Sequence, residues 1–103
     1  MTNITKQKLI ARLTSLGDPI IAEHSQRFFK TGKGQYGEGD QFIGVRVPVL
    51  RQQVKQFLQL DTDDVIELLY NPIHEIRLTA VLILVAQFER AKEHSQKQHL
   101  FEL

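Results

Sequence analysis

The most apolar stretch of the chain reads Ala80-Val81-Leu82-Ile83-Leu84-Val85-Ala86. It lies inside a segment from about Ile73 to about Ala91 that follows the helix-breaking pair Asn71-Pro72 and is predicted to be a helix. A helix that lacks a polar face belongs in the middle of a layered stack, where neighbouring elements cover it on both sides. We therefore predict that this helix is the central element of an all-α fold.

Helical periodicity continues outward from this segment towards both termini. Apolar residues at helical spacing predict four earlier helices, within Ile4–Leu16, Ile20–Phe29, Val49–Leu58 and Val65–Leu69, and Ser95 is predicted to begin a sixth. Between the first and second helices lies Gly17-Asp18-Pro19. Gly17 is suited to end the first helix, Asp18 can cap the second, and Pro19 fits the first turn of the second helix. Asp61-Thr62-Asp63-Asp64 offers capping oxygens and negative charge at the start of the fourth.

These elements predict an α-solenoid of HEAT/armadillo-like antiparallel helix pairs, because pairs of roughly 30 to 40 residues are typical of such repeats. We expect about five or six helices in a single domain over residues 1–103. A solenoid also needs about three repeats and a polar terminal cap, and neither is evident near Leu103. The chain is therefore expected to be the N-terminal part of a longer protein, with an uncapped apolar edge through which it could self-associate.

Residues 31–47 contain every glycine of the chain except Gly17. Glycine permits positive φ angles and destabilises helices, so we predict a Gly-rich loop here. Its last part, Phe42–Val47, has the composition of a short strand, but no partner strand is predicted. We interpret it as an extended lead-in to a third helix that starts at Val47-Pro48, where proline suits the first turn.

Within this loop, Gly32-Lys33-Gly34-Gln35-Tyr36-Gly37 matches the glycine spacing of nucleotide-binding loops. A dinucleotide loop needs a strand before it and a helix directly after it, and neither is predicted. Two interpretations stay open. The loop is either a plain connector or a segment whose backbone amides, with Lys30 and Lys33, approach a phosphodiester.

Basic residues surround the predicted start of the third helix. Arg46 and Arg51 flank Pro48, and the free amides of a helix N-terminus favour anions such as phosphate. Lys55 could extend such a patch, although any of these charges could equally serve solubility. The predicted DNA-binding residues are Lys30, Lys33, Arg46, Pro48 and Arg51.

His74-Glu75-Ile76-Arg77-Leu78 begins like a zinc-protease helix but has leucine where the second histidine must stand. We therefore expect no metal there, and we predict that Glu75 and Arg77 lie on a solvated or interface face of their helix. His24, His94 and His99 have no partners at a ligand spacing. No catalytic residue, metal ligand or cofactor is predicted within this chain.

The composition narrows the class of protein further. Hydrophobic residues make up 42% and charged residues 24%, as in ordinary globular domains, and the net charge is +1. No apolar run approaches the roughly 20 residues that span a membrane, and the start lacks a signal peptide's apolar core. Because there is no cysteine, we expect a cytoplasmic protein without disulfides or thiolate metal sites.

Two segments together resemble a known family. Phe28 to Asp40, followed by Phe42-Ile43-Gly44-Val45-Arg46-Val47-Pro48 and Arg51, resembles the entry segment of the DNA alkylation repair family of HEAT-like-repeat proteins. His74-Glu75-Ile76-Arg77, followed by Ala80 and the apolar run, is similar to that family's next repeat. The resemblance covers nearly the whole chain.

The resemblance implies a curved helical solenoid whose basic concave face holds duplex DNA. Characterised members excise N3- and N7-alkylated purines as glycosylases, without inserting the base into a pocket. It further implies that Arg46, Val47, Pro48 and Arg51 lie at the DNA-facing edge, while the aromatic residues and aspartate of catalysis belong to later repeats. This chain contains no tryptophan, so it departs from the catalytic pattern.

Two functions are therefore carried forward. The first is a DNA alkylation repair protein whose parent is a glycosylase, with this part supplying a surface for the DNA backbone. The second is a noncatalytic helical-repeat module that binds DNA or protein, since solenoids often serve as binding surfaces. Whether the longer protein is an enzyme stays open at this point.

Overall fold

The computed structural model describes residues 4–29, 34 and 39–102, with side chains up to residue 93. This part of the chain forms five helices and no strand, so the predicted all-α class is confirmed. The helices are α1 (Lys6–Ser15), α2 (Pro19–Phe28), α3 (Val47–Gln56), α4 (Thr62–Leu68) and α5 (His74–Glu102). None of the described helices is both long and apolar enough to cross a membrane.

Local sequence signals account for most helix starts. Thr5 caps α1 by accepting a hydrogen bond from the backbone N–H of Lys8, at 3.1 Å. The side chain of Asp18 caps α2 by accepting a hydrogen bond from the backbone N–H of Ile20, at 2.8 Å. Pro19 lies in the first turn, as predicted. Asp61 precedes α4, but its side chain makes no capping hydrogen bond. The predicted capping oxygen is therefore not supplied by Asp61, whereas the predicted negative charge is present, because Asp63 and Asp64 lie in the first turn.

The C-terminal end of the fold differs from the prediction. α5 continues without a break to Glu102, so Ser95 does not begin a separate sixth helix. The physical reason is that no glycine or proline lies between His74 and Glu102 to end the helix. Charged residues after Phe88 make the helix polar there without interrupting it.

The core lies where α5 packs against α3 and α4, with α1 closing one side. Its fully buried side chains come from all four of these helices and include Leu9, Leu13, Leu50, Val65, Ile76 and Ile83. Polar contacts support the packing. Gln87 of α5 donates to the backbone carbonyls of Leu58 and Leu60, and Arg12 of α1 donates to Gln53 of α3 at 3.1 Å.

Two helices bury less than their apolar content suggests. α5 was expected to be covered on both sides, but Val81, Val85 and Phe88, spaced along one face, are between 45% and 67% exposed. Within the described residues, therefore, only one face of its apolar run is covered. No residue of α2 is fully buried, although the helix is as long as α1 and α3.

The lead-in to α3 is extended, as predicted, and it is held from one side by a buried carboxylate. Glu75 is 3% exposed, and its two oxygens accept hydrogen bonds from three successive backbone N–H groups. These belong to Ile43 at 3.0 Å, Gly44 at 2.8 Å and Val45 at 3.2 Å. A carboxylate thus satisfies three buried or partly buried donors for which no strand or helix supplies a partner.

The turn between α1 and α2 holds the same segment from the other side. The backbone N–H of Asp18 donates to the carbonyl of Gly44 at 3.0 Å. Gly44 has a φ of 86°, and a Cβ there would lie 1.9 Å from the Asp18 carbonyl oxygen. A Cβ at Gly17 would lie 2.4 Å from the carbonyl oxygen of Ile43. Both glycines are therefore required by the close approach of two backbone segments.

Replacing Glu75 with Gln should lower the free energy of unfolding by about 3 kcal/mol, because an amide is uncharged and its nitrogen cannot accept from a backbone N–H. Urea denaturation measures the loss. The matched control is Glu67→Gln, since Glu67 is an exposed partner of Lys6, and it should cost less than about 1 kcal/mol. Equal losses in the two variants would contradict the anchoring role of Glu75.

Candidate functional site

One face of α3 is basic and open to solvent. Leu50 and Val54 turn into the core, so Arg46, Pro48, Arg51 and Lys55 lie on the outer side of the helix or at its start. α3 contains no carboxylate. We call the set Arg46, Pro48, Arg51 and Lys55 the α3 basic face. Helix periodicity thus places Pro48, Arg51 and Lys55 on one side of α3, and Arg46 lies at the start of the helix.

The cations of this face differ from several others in their pairing. Lys6 pairs with Asp64 and Glu67 of α4, and Arg27 pairs with Glu23 one turn earlier in α2. Among the residues that the structure describes, Arg46, Arg51 and Lys55 form no ion pair. Their charges are therefore not neutralised by a described neighbour. Lys30 and Lys33, also predicted to bind DNA, lie outside the described residues.

A pocket of about 540 Å³ adjoins the α3 basic face. It lies between α2, the start of α3 and the start of α5, and Arg46, Val47 and Pro48 form part of its lining. The remaining lining is mostly apolar and aromatic, from Ile21, Phe29, Phe42, Val45, Leu50, His74 and Leu78, with Ser25 and Glu75 as further polar members. The basic face and the pocket thus share residues.

Three rings in the lining contact one another. Phe29 stacks on Phe42 at a centroid distance of 5.3 Å, and Phe42 stacks on His74 at 4.6 Å. Phe29 and His74 also meet, at 5.0 Å. Phe42 is 8% exposed, whereas Phe29 is 43% exposed. The buried ring therefore supports two rings that remain accessible.

His74 is oriented by a polar cluster behind the rings. Its Nδ1 lies 3.2 Å from one carboxylate oxygen of Asp40, and Arg77 donates to the other oxygen at 2.6 Å. Arg77 also donates to the carbonyl of Asn71 at 2.9 Å, and the backbone N–H of His74 donates to Gln41 at 2.8 Å. The cluster ties the segment before α3 to the first turn of α5.

The pKa of Asp40 is lower than that of an ordinary aspartate. Partial burial is the largest single influence and by itself would raise the pKa, but the hydrogen bond and charge of Arg77, aided by His74, outweigh it. Asp40 is therefore a carboxylate at neutral pH and can only accept hydrogen bonds. It follows that Nδ1 of His74 carries the hydrogen in this contact.

Sequence reasoning missed both carboxylates of this region. Glu75 and Arg77 were predicted to lie on a solvated or interface face. For Glu75 this is wrong, because the residue is buried against three backbone amides, and Arg77 is only partly exposed against Asp40. Asp40 was not singled out at all. In the described part of the chain, no three side chains are grouped so that they could hold a metal ion.

Replacing Asp40 with Asn should destabilise the fold by about 1–2 kcal/mol at pH 7, because the charge-assisted bonds to Arg77 and His74 are lost. Since the folded pKa is lowered, this stabilisation is complete above the ordinary aspartate pKa of about 4 and disappears as the pH falls through the lowered value. Urea denaturation across this pH range measures the difference between wild type and variant.

The control for this experiment is Asp63→Asn, since Asp63 is exposed on α4 and has no ion-pair partner among the described residues. It should cost about 0.5 kcal/mol or less. A difference between wild type and Asp40→Asn that stayed constant down to pH 2 would contradict the stated origin of the stabilisation.

Comparison with known proteins identifies the family. The model of the family described as DNA alkylation repair enzyme matches residues 9–102. This range contains the whole of α2 to α5, the α3 basic face and the ring cluster. No curated protein and no solved structure matches the chain. Because the match extends over well more than half of its length, the chain belongs to the DNA alkylation repair enzyme family.

Proposed function

We propose that this chain supplies part of the surface by which a DNA alkylation repair protein holds duplex DNA, and that the α3 basic face contacts the sugar–phosphate backbone. The observation that carries the proposal is that three exposed cations on or next to one short helix, Arg46, Arg51 and Lys55, form no ion pair with any described residue. Such cations gain from phosphate contact because they release counterions condensed on DNA. No existing ion pair has to be broken first.

The N-terminus of α3 also favours contact with the phosphates of DNA. Arg46 is the N-cap residue, and no side chain caps the helix. The positive end of the helix dipole therefore reinforces the charge of Arg46 and the nearby Arg51 towards an anion. Glu75 holds the preceding backbone from inside, so its negative charge faces the three amides of residues 43–45.

The opposite charge is concentrated on another helix. α4 and the residue before it carry Asp61, Asp63, Asp64 and Glu67, and none of the residues of α4 is basic. A duplex would be repelled from α4 and attracted to α3, although the net charge of the chain is only +1. The separation of charge therefore favours one docking orientation.

For the longer protein of which we propose this chain to be the N-terminal part, we propose excision of N3- or N7-alkylated purines. This step rests on the family and on the resemblance described above. The alternative is a noncatalytic helical-repeat module for DNA or protein, and it would use the same basic face only if its partner is DNA. Binding of the DNA backbone is therefore the property to measure on this chain. The resemblance assigns the aromatic residues and the aspartate of catalysis to later repeats. We expect them outside the 103 residues, which contain no tryptophan.

Replacing Arg51 with Ala should weaken binding of a fully paired duplex about equally for all sequences, because phosphate contacts carry no base information. The slope of log affinity against log salt concentration should fall by about one unit. Fluorescence anisotropy at several salt concentrations, with two duplexes of unrelated sequence, measures both quantities. Arg90→Ala is the matched control, since Arg90 is exposed on α5, and it should leave the slope unchanged.

Two results would overturn the backbone-binding proposal. One is wild-type affinity that does not respond to salt. The other is a loss in Arg51→Ala that is confined to one of the two duplex sequences, because this would indicate base reading.

The isolated chain should release no 3-methyladenine or 7-methylguanine from alkylated duplex DNA beyond the spontaneous rate. The reason is that none of its residues is assigned to the departing base or to the cationic sugar. Chromatography of the released bases over time measures this. Release above the rate seen with the Arg51→Ala variant and with no protein would show that a catalytic residue lies within these 103 residues.

A further inference from the structure

The pocket beside the α3 basic face has the properties of a site for a flat ring. Its volume of about 540 Å³ lies within the range of small-molecule sites. The lining is mostly apolar, and its polar members include Ser25, Arg46 and His74. Phe29 offers a partly exposed ring, and stacking on such a ring is the usual way in which proteins hold a nucleobase that has left its helix.

The ring wall is held in place before any ligand arrives. Phe42 is buried and stacks on both Phe29 and His74. His74 is fixed through its ring by Asp40 and through its backbone by Gln41. A wall that is already ordered loses little conformational entropy on binding, which favours affinity.

The pocket is also placed where a bound strand would pass. Arg46 and Pro48 belong both to its lining and to the α3 basic face. A strand with a phosphate against Arg46 would therefore have its neighbouring nucleotides beside the pocket. Paired bases are stacked in the duplex and cannot enter, so only a base that is already unpaired could do so without the cost of unstacking.

We infer that this pocket receives one unpaired base of the DNA strand held by the α3 basic face, stacked against Phe29 and His74. The inference rests on the proposed function for its phosphate contacts. It goes beyond it by assigning a base-binding site. Excision without a base pocket, as the resemblance implies, does not require this contact, so the site is tested by binding and not by catalysis.

The test compares two short duplexes that differ only in one bulged 2-aminopurine, measured by anisotropy with wild type. The bulged duplex should bind about tenfold more tightly, which is the size of one base–aromatic stack. The fluorescence of the bulged 2-aminopurine should fall on binding, because stacking quenches it. Equal affinity for both duplexes would overturn the inference while leaving the backbone-binding proposal intact.

Two neighbouring phenylalanines provide a matched pair of variants. Phe29→Leu keeps an apolar side chain but removes the ring from the wall, and it should abolish the tenfold preference without changing the affinity for the paired duplex. Phe28→Leu is the control, because Phe28 is 77% exposed, touches Phe29 edge-on and lies outside the pocket lining. It should keep the preference. Loss of preference in both variants would indicate a general apolar surface, as a protein partner would use, and would overturn the base site.

A single-stranded oligonucleotide containing 2-aminopurine separates this inference from the proposed function. If neither duplex binds but the single strand is quenched by wild type and not by Phe29→Leu, the base site stands and duplex binding fails. If the single strand and both duplexes fail to bind at low salt, both are overturned. Thermal melting of each variant shows that it is folded.

Discussion

The carboxylate of Glu75 is the contact on which the arrangement of this molecule depends. It enters the protein interior from the first turn of α5 and binds three consecutive amides of the segment that leads into α3. Because a buried N–H without a partner is costly, the segment has no equally favourable alternative path. The direction of α3, the position of Arg46 and one side of the pocket all follow from this contact.

The same arrangement separates the acidic residues of the protein from the cations of α3. Two carboxylates have partners within the fold. Glu75 accepts hydrogen bonds from backbone amides, and Asp40 pairs with Arg77 and His74. Acidic residues at the surface collect on α4, where Lys6 meets two of them. The cations of α3 are left without a described partner, which is why a weakly charged chain can present a distinctly basic surface.

Sequence reasoning succeeded where the cause is local and failed where it is distant. Asp18 and Pro19 predicted the start of α2 correctly, and Val47-Pro48 predicted that of α3, because capping and proline chemistry act within one turn. The exposed side shared by Pro48, Arg51 and Lys55 follows from helix periodicity. The burial of Glu75 could not be predicted in this way, because its partners lie 30 to 32 residues earlier in the chain. The same holds for Asp40 and Arg77, which are 37 residues apart.

The absence of any fully buried residue in α2 has a consequence for motion. Hydrogen exchange should find the amides of this helix opening in a partial unfolding event, while those of α5 near Ile76 and Ile83 exchange only through global unfolding. Phe29 directly follows α2, so each opening would remove this one ring from the wall, whereas Phe42 stays buried and His74 stays held by Asp40 and Gln41. The wall would then be complete only while α2 is folded, so a ligand that stacks on Phe29 would bind that state alone and stabilise the helix.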